Sequence, residues 1–223
     1  MFPKRSDKEL EQDIVRELRW DSRTLGSPIG IKVSKGVATL TGAVSSYAKK
    51  IAAQEAAHRV PGILDVANDI EVKPIDLFAR TDTQIAGAVR NALEWDALVP
   101  NERIASTVSD GWVTLEGAVD YWREREDAER AMRRLNGVVG VINKITIQRR
   151  AVDPEELREQ IEYALERRAD REAERLRVDI QDGAVDLWGR VHSWQEKRAV
   201  LGSISHAPGV SQVVDHLRVD PYF

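Results

Sequence analysis

The chain predicts an α+β protein of three tandem α-β-β-α-β modules, each with two helices packed on one face of a three-stranded mixed sheet. Three observations predict it. First, glycines recur in sets with steps of 6 and then 20 residues: Gly36, Gly42 and Gly62; Gly111, Gly117 and Gly137; Gly183, Gly189 and Gly209. The sets are offset by 75 and then 72 residues, so the chain repeats one unit three times. Second, apolar stripes of helical and of strand period alternate in the same order inside every copy. Third, each copy places Lys35-Gly36, Asp110-Gly111 or Asp182-Gly183 between two alternating segments. Such a dipeptide marks a type I′ hairpin, because both central residues take positive φ. A repeat of about 72 residues exceeds the roughly 20–50 of a solenoid unit and suffices for a small domain. The modules run over residues 6–74, 81–149 and 153–220.

Each element follows from its own pattern. The first helix carries Leu10, Ile14 and Leu18, matched by Ile85, Val89 and Leu93 and by Leu157, Ile161 and Leu165, an i, i+4, i+8 stripe. Ser6 with Glu9 reads as a capping box, and Asp153-Pro154 as a cap with proline at the first helical position. The first strand alternates through Ile29, Ile31 and Val33; through Ile104, Ser106 and Val108; and through Leu176, Val178 and Ile180. The second turns Ala38, Leu40 and Val44 to one face, with Val113, Leu115, Val119 and Val185, Leu187, Val191 as equivalents. Gly42, Gly117 and Gly189 fall on that face, where a strand glycine marks close backbone approach; a helix packing on the sheet is the expected neighbour. The second helix is striped by Ala53, Ala56, Ala57 and Val60 and their counterparts, and Gly62, Gly137 and Gly209 lie just past its end. A last strand carries Val66, Ile70 and Val72; Val141, Ile145 and Ile147; Val213, Leu217 and Val219. The right-handed crossover rule makes the second and third strands parallel.

Composition excludes several classes of function. There are no cysteines, hence no disulfide, thiolate nucleophile or cysteine metal site. No apolar run approaches the roughly 18 residues of a membrane span. The N-terminus lacks an apolar segment of secretory type, which predicts a cytoplasmic protein. Net charge is −4. No module has the cationic excess of a nucleic-acid binder, so no nucleic-acid partner is expected. The four histidines His58, His192, His206 and His216 align with polar columns and read as surface groups rather than metal ligands. No nucleophile, phosphate-loop or dinucleotide motif is present, which predicts no catalytic residue, no metal and no cofactor.

The aromatic columns are the candidate binding residues. Tyr47, Trp122 and Trp194 share one position at the start of the second helix, pointing well away from the core stripe, and Lys50, Arg125 and Lys197 follow three residues on. Each pair fits a cation–π brace, packing between modules, or an amphipathic patch for lipid headgroups. Packing carries more weight, since tryptophan usually serves area burial first. Trp112 and Trp188 occupy the sheet face that the module's own helices leave uncovered, where a neighbouring module or a partner is expected. Trp20 and Trp95 end the first helix of copies one and two, and Arg167 replaces them in copy three. They read as caps on the domain rather than membrane-inserting tips.

The string Gly111-Trp-Val-Thr-Leu-Glu-Gly117-Ala-Val119, followed by Gly137-Val-Val-Gly-Val141-Ile-Asn143-Lys-Ile145, resembles the BON domain. All three copies match, over roughly residues 6–220. The resemblance implies a non-enzymatic domain linked to osmotic stress, envelope maintenance and phospholipid binding. The expected function is therefore a stress-associated module for phospholipid or envelope components, peripheral to the membrane and strengthened by avidity across three copies. A protein-interaction scaffold or chaperone-like binder is the alternative, and a small-ligand or cation sensor built from loop carbonyls is a third.

Overall fold

The computed structural model describes residues 5–75, 80–148, 154–168, 176–181, 183–205 and 207–221. Asp153, Asp182 and His206 lie outside them, as do the side chains of Leu165 and Arg167. Module one comprises α1 (Asp7–Trp20), β1 (Ile29–Ser34), β2 (Val37–Val44), α2 (Tyr47–His58) and a third strand in two pieces, β3 (Asp65–Asn68) and β4 (Glu71–Val72). Module two comprises α3 (Asp82–Trp95), β5 (Ile104–Ser109), β6 (Trp112–Val119), α4 (Trp122–Met132) and β7 (Gly140–Ile147). Module three comprises α5 (Pro154–Arg168), β8 (Arg177–Gln181), β9 (Ala184–Val191), α6 (Trp194–Ser205) and β10 (Gln212–Val219).

The expected architecture is present three times. In each sheet the second strand is central, antiparallel to the first and parallel to the third. Each module has its own core. Leu10, Ile14 and Leu18 of α1 meet Ala38, Leu40 and Val44 of β2 and Ala53, Ala56 and Ala57 of α2. The three alanines have no exposed surface, and their small side chains bring α2 close to the sheet. Ile85, Val89 and Leu93 with Val113, Leu115 and Val119 repeat this in module two, as do Leu157 and Ile161 with Val185, Leu187 and Val191 in module three.

The hairpin turns have the predicted backbone. Lys35 and Gly36 take φ 53° and 79°, and Asp110 and Gly111 take 51° and 76°. A helix pins each of these turns. Asp7, the first residue of α1, accepts from the Lys35 and Gly36 amides at 2.8 and 3.0 Å, and Asp82 of α3 accepts from Asp110 and Gly111 at 2.9 Å each. Pro154 stands at that position in α5 and has no such carboxylate.

The strand glycines have a different neighbour from the one expected. A Cβ on Gly42 would lie 2.2 Å from the Pro28 carbonyl oxygen, and one on Gly117 2.1 Å from that of Arg103. The close approach comes from the chain entering the first strand, not from a helix. At φ 113° and 142° the backbone also favours glycine.

Candidate functional site

Tyr47, at the N-terminus of α2, leaves its own module and packs against the core of module two. Burial raises its hydroxyl pKa, Arg133 just beyond α4 opposes that shift and Glu129 of α4 adds to it. Trp194, the equivalent residue of module three, stacks on His58 of α2, with centroids 4.0 Å apart and planes 17° from parallel. His58 and Arg133 occupy the same column of the repeat, 75 residues apart. One contact is therefore made twice, module one on module two and module three on module one. The matching seat in module three is Ser205, which is buried, and Trp122 is half-buried.

The basic partners of these aromatics turn inward in two copies. The Arg125 guanidinium lies 5.0 Å from the Trp122 ring and donates to the carbonyls of Ile145 and Asn143 at 3.0 and 3.1 Å. Lys197 Nζ lies 5.1 Å from the Trp194 ring, donates to the Leu217 carbonyl at 2.8 Å and pairs with Asp215 at 2.8 Å. Both tie the second helix to the third strand across 20 residues of sequence. The Lys50 carbonyl accepts from Asn68 at 3.1 Å, which ties the same elements in module one. The geometry of this column is that of an internal and inter-module brace.

The tryptophans of the open sheet face differ from each other. Trp188 is half-buried between its cross-strand neighbours, stacked on His216 at 4.9 Å with the Arg177 guanidinium 5.4 Å from its ring. His216 also contacts Asp186 at 3.1 Å. Trp112 lies over Gly140, where a Cβ would meet the ring at 2.3 Å, yet stays 46% exposed. Ile142, 43% exposed, is two residues beyond Gly140 on the same face.

Trp20 and Trp95 do not cap their domains. They are 88% and 84% exposed, beside Leu25 at 64% and Leu98 at 57% in the loops that follow. The turn after Trp20 is held without the indole: Thr24 donates its hydroxyl to the Leu18 carbonyl at 2.6 Å. Reading the sequence for core stripes missed these residues as a surface. Their signal was a large aromatic at a helix end with an apolar residue a few positions on.

His192 contacts Glu196 and is half-buried; His58 is the histidine whose polar-surface reading fails, because the neighbouring module covers it. Among the described residues no group of three or more His, Asp or Glu is placed to hold a metal ion, and no helix is long and apolar enough to cross a membrane.

The repeats can now be placed among known proteins. The BON domain profile matches residues 6–74, 81–149 and 153–221. The chain belongs to the BON-domain family. It is 29% identical over 122 residues to osmotically-inducible protein Y of Escherichia coli K12, covering 52% of this chain and 60% of that protein. The BON chain therefore aligns with less than two thirds of that relative. It is also 29% identical over 122 residues to an uncharacterised protein of Anaplasma centrale, covering 81% of it. A structure of CdsD, a structural protein of the type III secretion system of Chlamydia trachomatis, covers 94% of this chain and 91% of its own at 12% identity, with a TM-score of 0.27, too low to carry an argument.

Proposed function

We propose that this BON protein is a non-catalytic stress-response module that binds phospholipid surfaces peripherally through Trp20, Leu25, Trp95 and Leu98. The exposure of these four side chains carries the reading. Removing such apolar surface from water is favourable, and indole rings favour the headgroup level of a bilayer. Arrangement adds to it. The same column docks module three on module one, through Trp194 on His58, and module one on module two, through Tyr47. Trp20 and Trp95 hold the same position in modules one and two, so one chain offers two equivalent anchors. Two weak anchors on one body bind far better than either alone.

Co-sedimentation with phosphatidylglycerol vesicles tests this reading. The wild-type chain pellets with vesicles, and Trp20→Ser with Trp95→Ser reduces the bound fraction at least tenfold while circular dichroism stays unchanged. Equal pelleting of the double variant, or none by the wild type, rejects the reading.

A protein-interaction scaffold is the second reading, favoured by Trp112 and Ile142 on the open face of module two. It expects Trp112→Ser to abolish capture of a partner while circular dichroism stays unchanged.

A further inference from the structure

Where module three meets module one, a cleft of about 890 Å³ opens between the N-terminus of α1, the β1–β2 turn and the ends of β9 and β10. Arg5, Lys35, Arg190 and Arg218 line it with two carboxylates, Asp7 and Asp220, giving net +2 in a chain of net −4. The carboxylates are engaged. Asp7 is held by the two turn amides, and Asp220 lies 3.8 Å from Arg190. Arg5 pairs with Asp13. Lys35 and Arg218 are exposed and have no ion pair among the described residues.

The repeat supplies a control. The equivalent positions between modules one and two are Ala43, Glu71, Lys73, Arg80, Asp82 and Asp110, two cations against three carboxylates. Between modules two and three they are Ala118, Thr146, Gln148, Val152, Pro154 and Asp182, a single carboxylate. The positive cleft is therefore not inherited from the module. It arose in one junction only, and module three, the most acidic copy, contributes two of its arginines. This is also the one junction that no linker bridges.

We infer that this junction is a binding site for a soluble phosphate-bearing anion, which holds module three against module one. A phosphate offers several charge-assisted acceptors to guanidinium and ammonium donors. Solubility follows from position. The cleft lies at the N-terminus of α1 and Trp20 at its C-terminus, about 20 Å away along a 14-residue helix. A bilayer resting on Trp20 does not present headgroups to the cleft. The solubility of the ligand rests on the lipid reading, whereas the anion site itself rests on the charge lining the cleft.

Calorimetric titration of the full chain with pyrophosphate at low salt tests it, alongside a variant carrying Lys35→Asp, Arg190→Ala and Arg218→Glu. Each substitution borrows the residue that another copy holds at that position, so the fold is retained; Asp110 adopts the same positive φ as Lys35. The wild type binds with a dissociation constant below 1 mM, about −4 kcal/mol, and the variant binds at least tenfold more weakly. Absence of binding by the wild type, or equal binding by the variant, overturns the site. Phosphatidylglycerol vesicles form the second arm. Vesicle binding that falls in the variant while pyrophosphate does not bind assigns the cleft to headgroups and overturns the soluble ligand. Vesicle binding that falls only on loss of Trp20 and Trp95 keeps both readings separate.

Discussion

Gly117 and His58 show how much single positions carry. A Cβ on Gly117 collides with the Arg103 carbonyl, a backbone atom that moves only if β5 moves. Gly117→Ala is expected to destabilise module two by more than about 2 kcal/mol, read as a shifted urea midpoint at unchanged slope. His58 is a different case. Burial against Trp194 lowers its pKa to about 4, with Arg198 and Lys197 of α6 adding to the shift and Asp65 and Glu55 of its own module opposing it. Undocked, the ring titrates near 6.5. The docked form binds fewer protons, so docking of module three is fully favoured above pH 6.5 and weakens as pH falls from 6.5 through 4, then levels off. Proton NMR of the His58 ring should give a midpoint near 4 that returns towards 6.5 in Trp194→Ala; a wild-type midpoint near 6.5 contradicts the buried stack.

At the scale of elements, the hairpins and helices were legible because each copy checks the others. Val113, Leu115 and Val119 alternate as their equivalents do, and Asp-Gly announces its own turn. The pinning of each turn by Asp7 or Asp82 was not legible, since two residues 28 positions apart meet only through tertiary packing. Asp82→Ala removes two hydrogen bonds and is expected to cost about 1–2 kcal/mol in urea unfolding. The aromatic column was half legible. Its departure from the core face is written in helical periodicity, but the surface it covers belongs to another module, and no local pattern reports that. The exposure of Trp20 and Trp95 was misjudged for the same reason: a helix-end tryptophan looks alike whether something covers it or not. Trp194→Ala should leave secondary structure intact and enlarge the radius of gyration in solution scattering; an unchanged radius means that α6 does not hold module three in place.

For the whole molecule, three copies have diverged in their exposed residues on one scaffold. Copies one and two keep a bare tryptophan at the helix tip. Copy two exposes Trp112. Copies one and three together build a positive cleft that the other junctions lack. The family is stated plainly by the glycine spacing, while the candidate binding residues are ones that differ between copies. The proposed lipid role requires Trp20 and Trp95 to enter a phospholipid surface. The most direct measurement is quenching of tryptophan fluorescence by lipids brominated at shallow acyl positions. Quenching is expected in the wild type and should fall to the level of the remaining four tryptophans in Trp20→Phe with Trp95→Phe. Quenching that is absent, or unchanged in that variant, contradicts it.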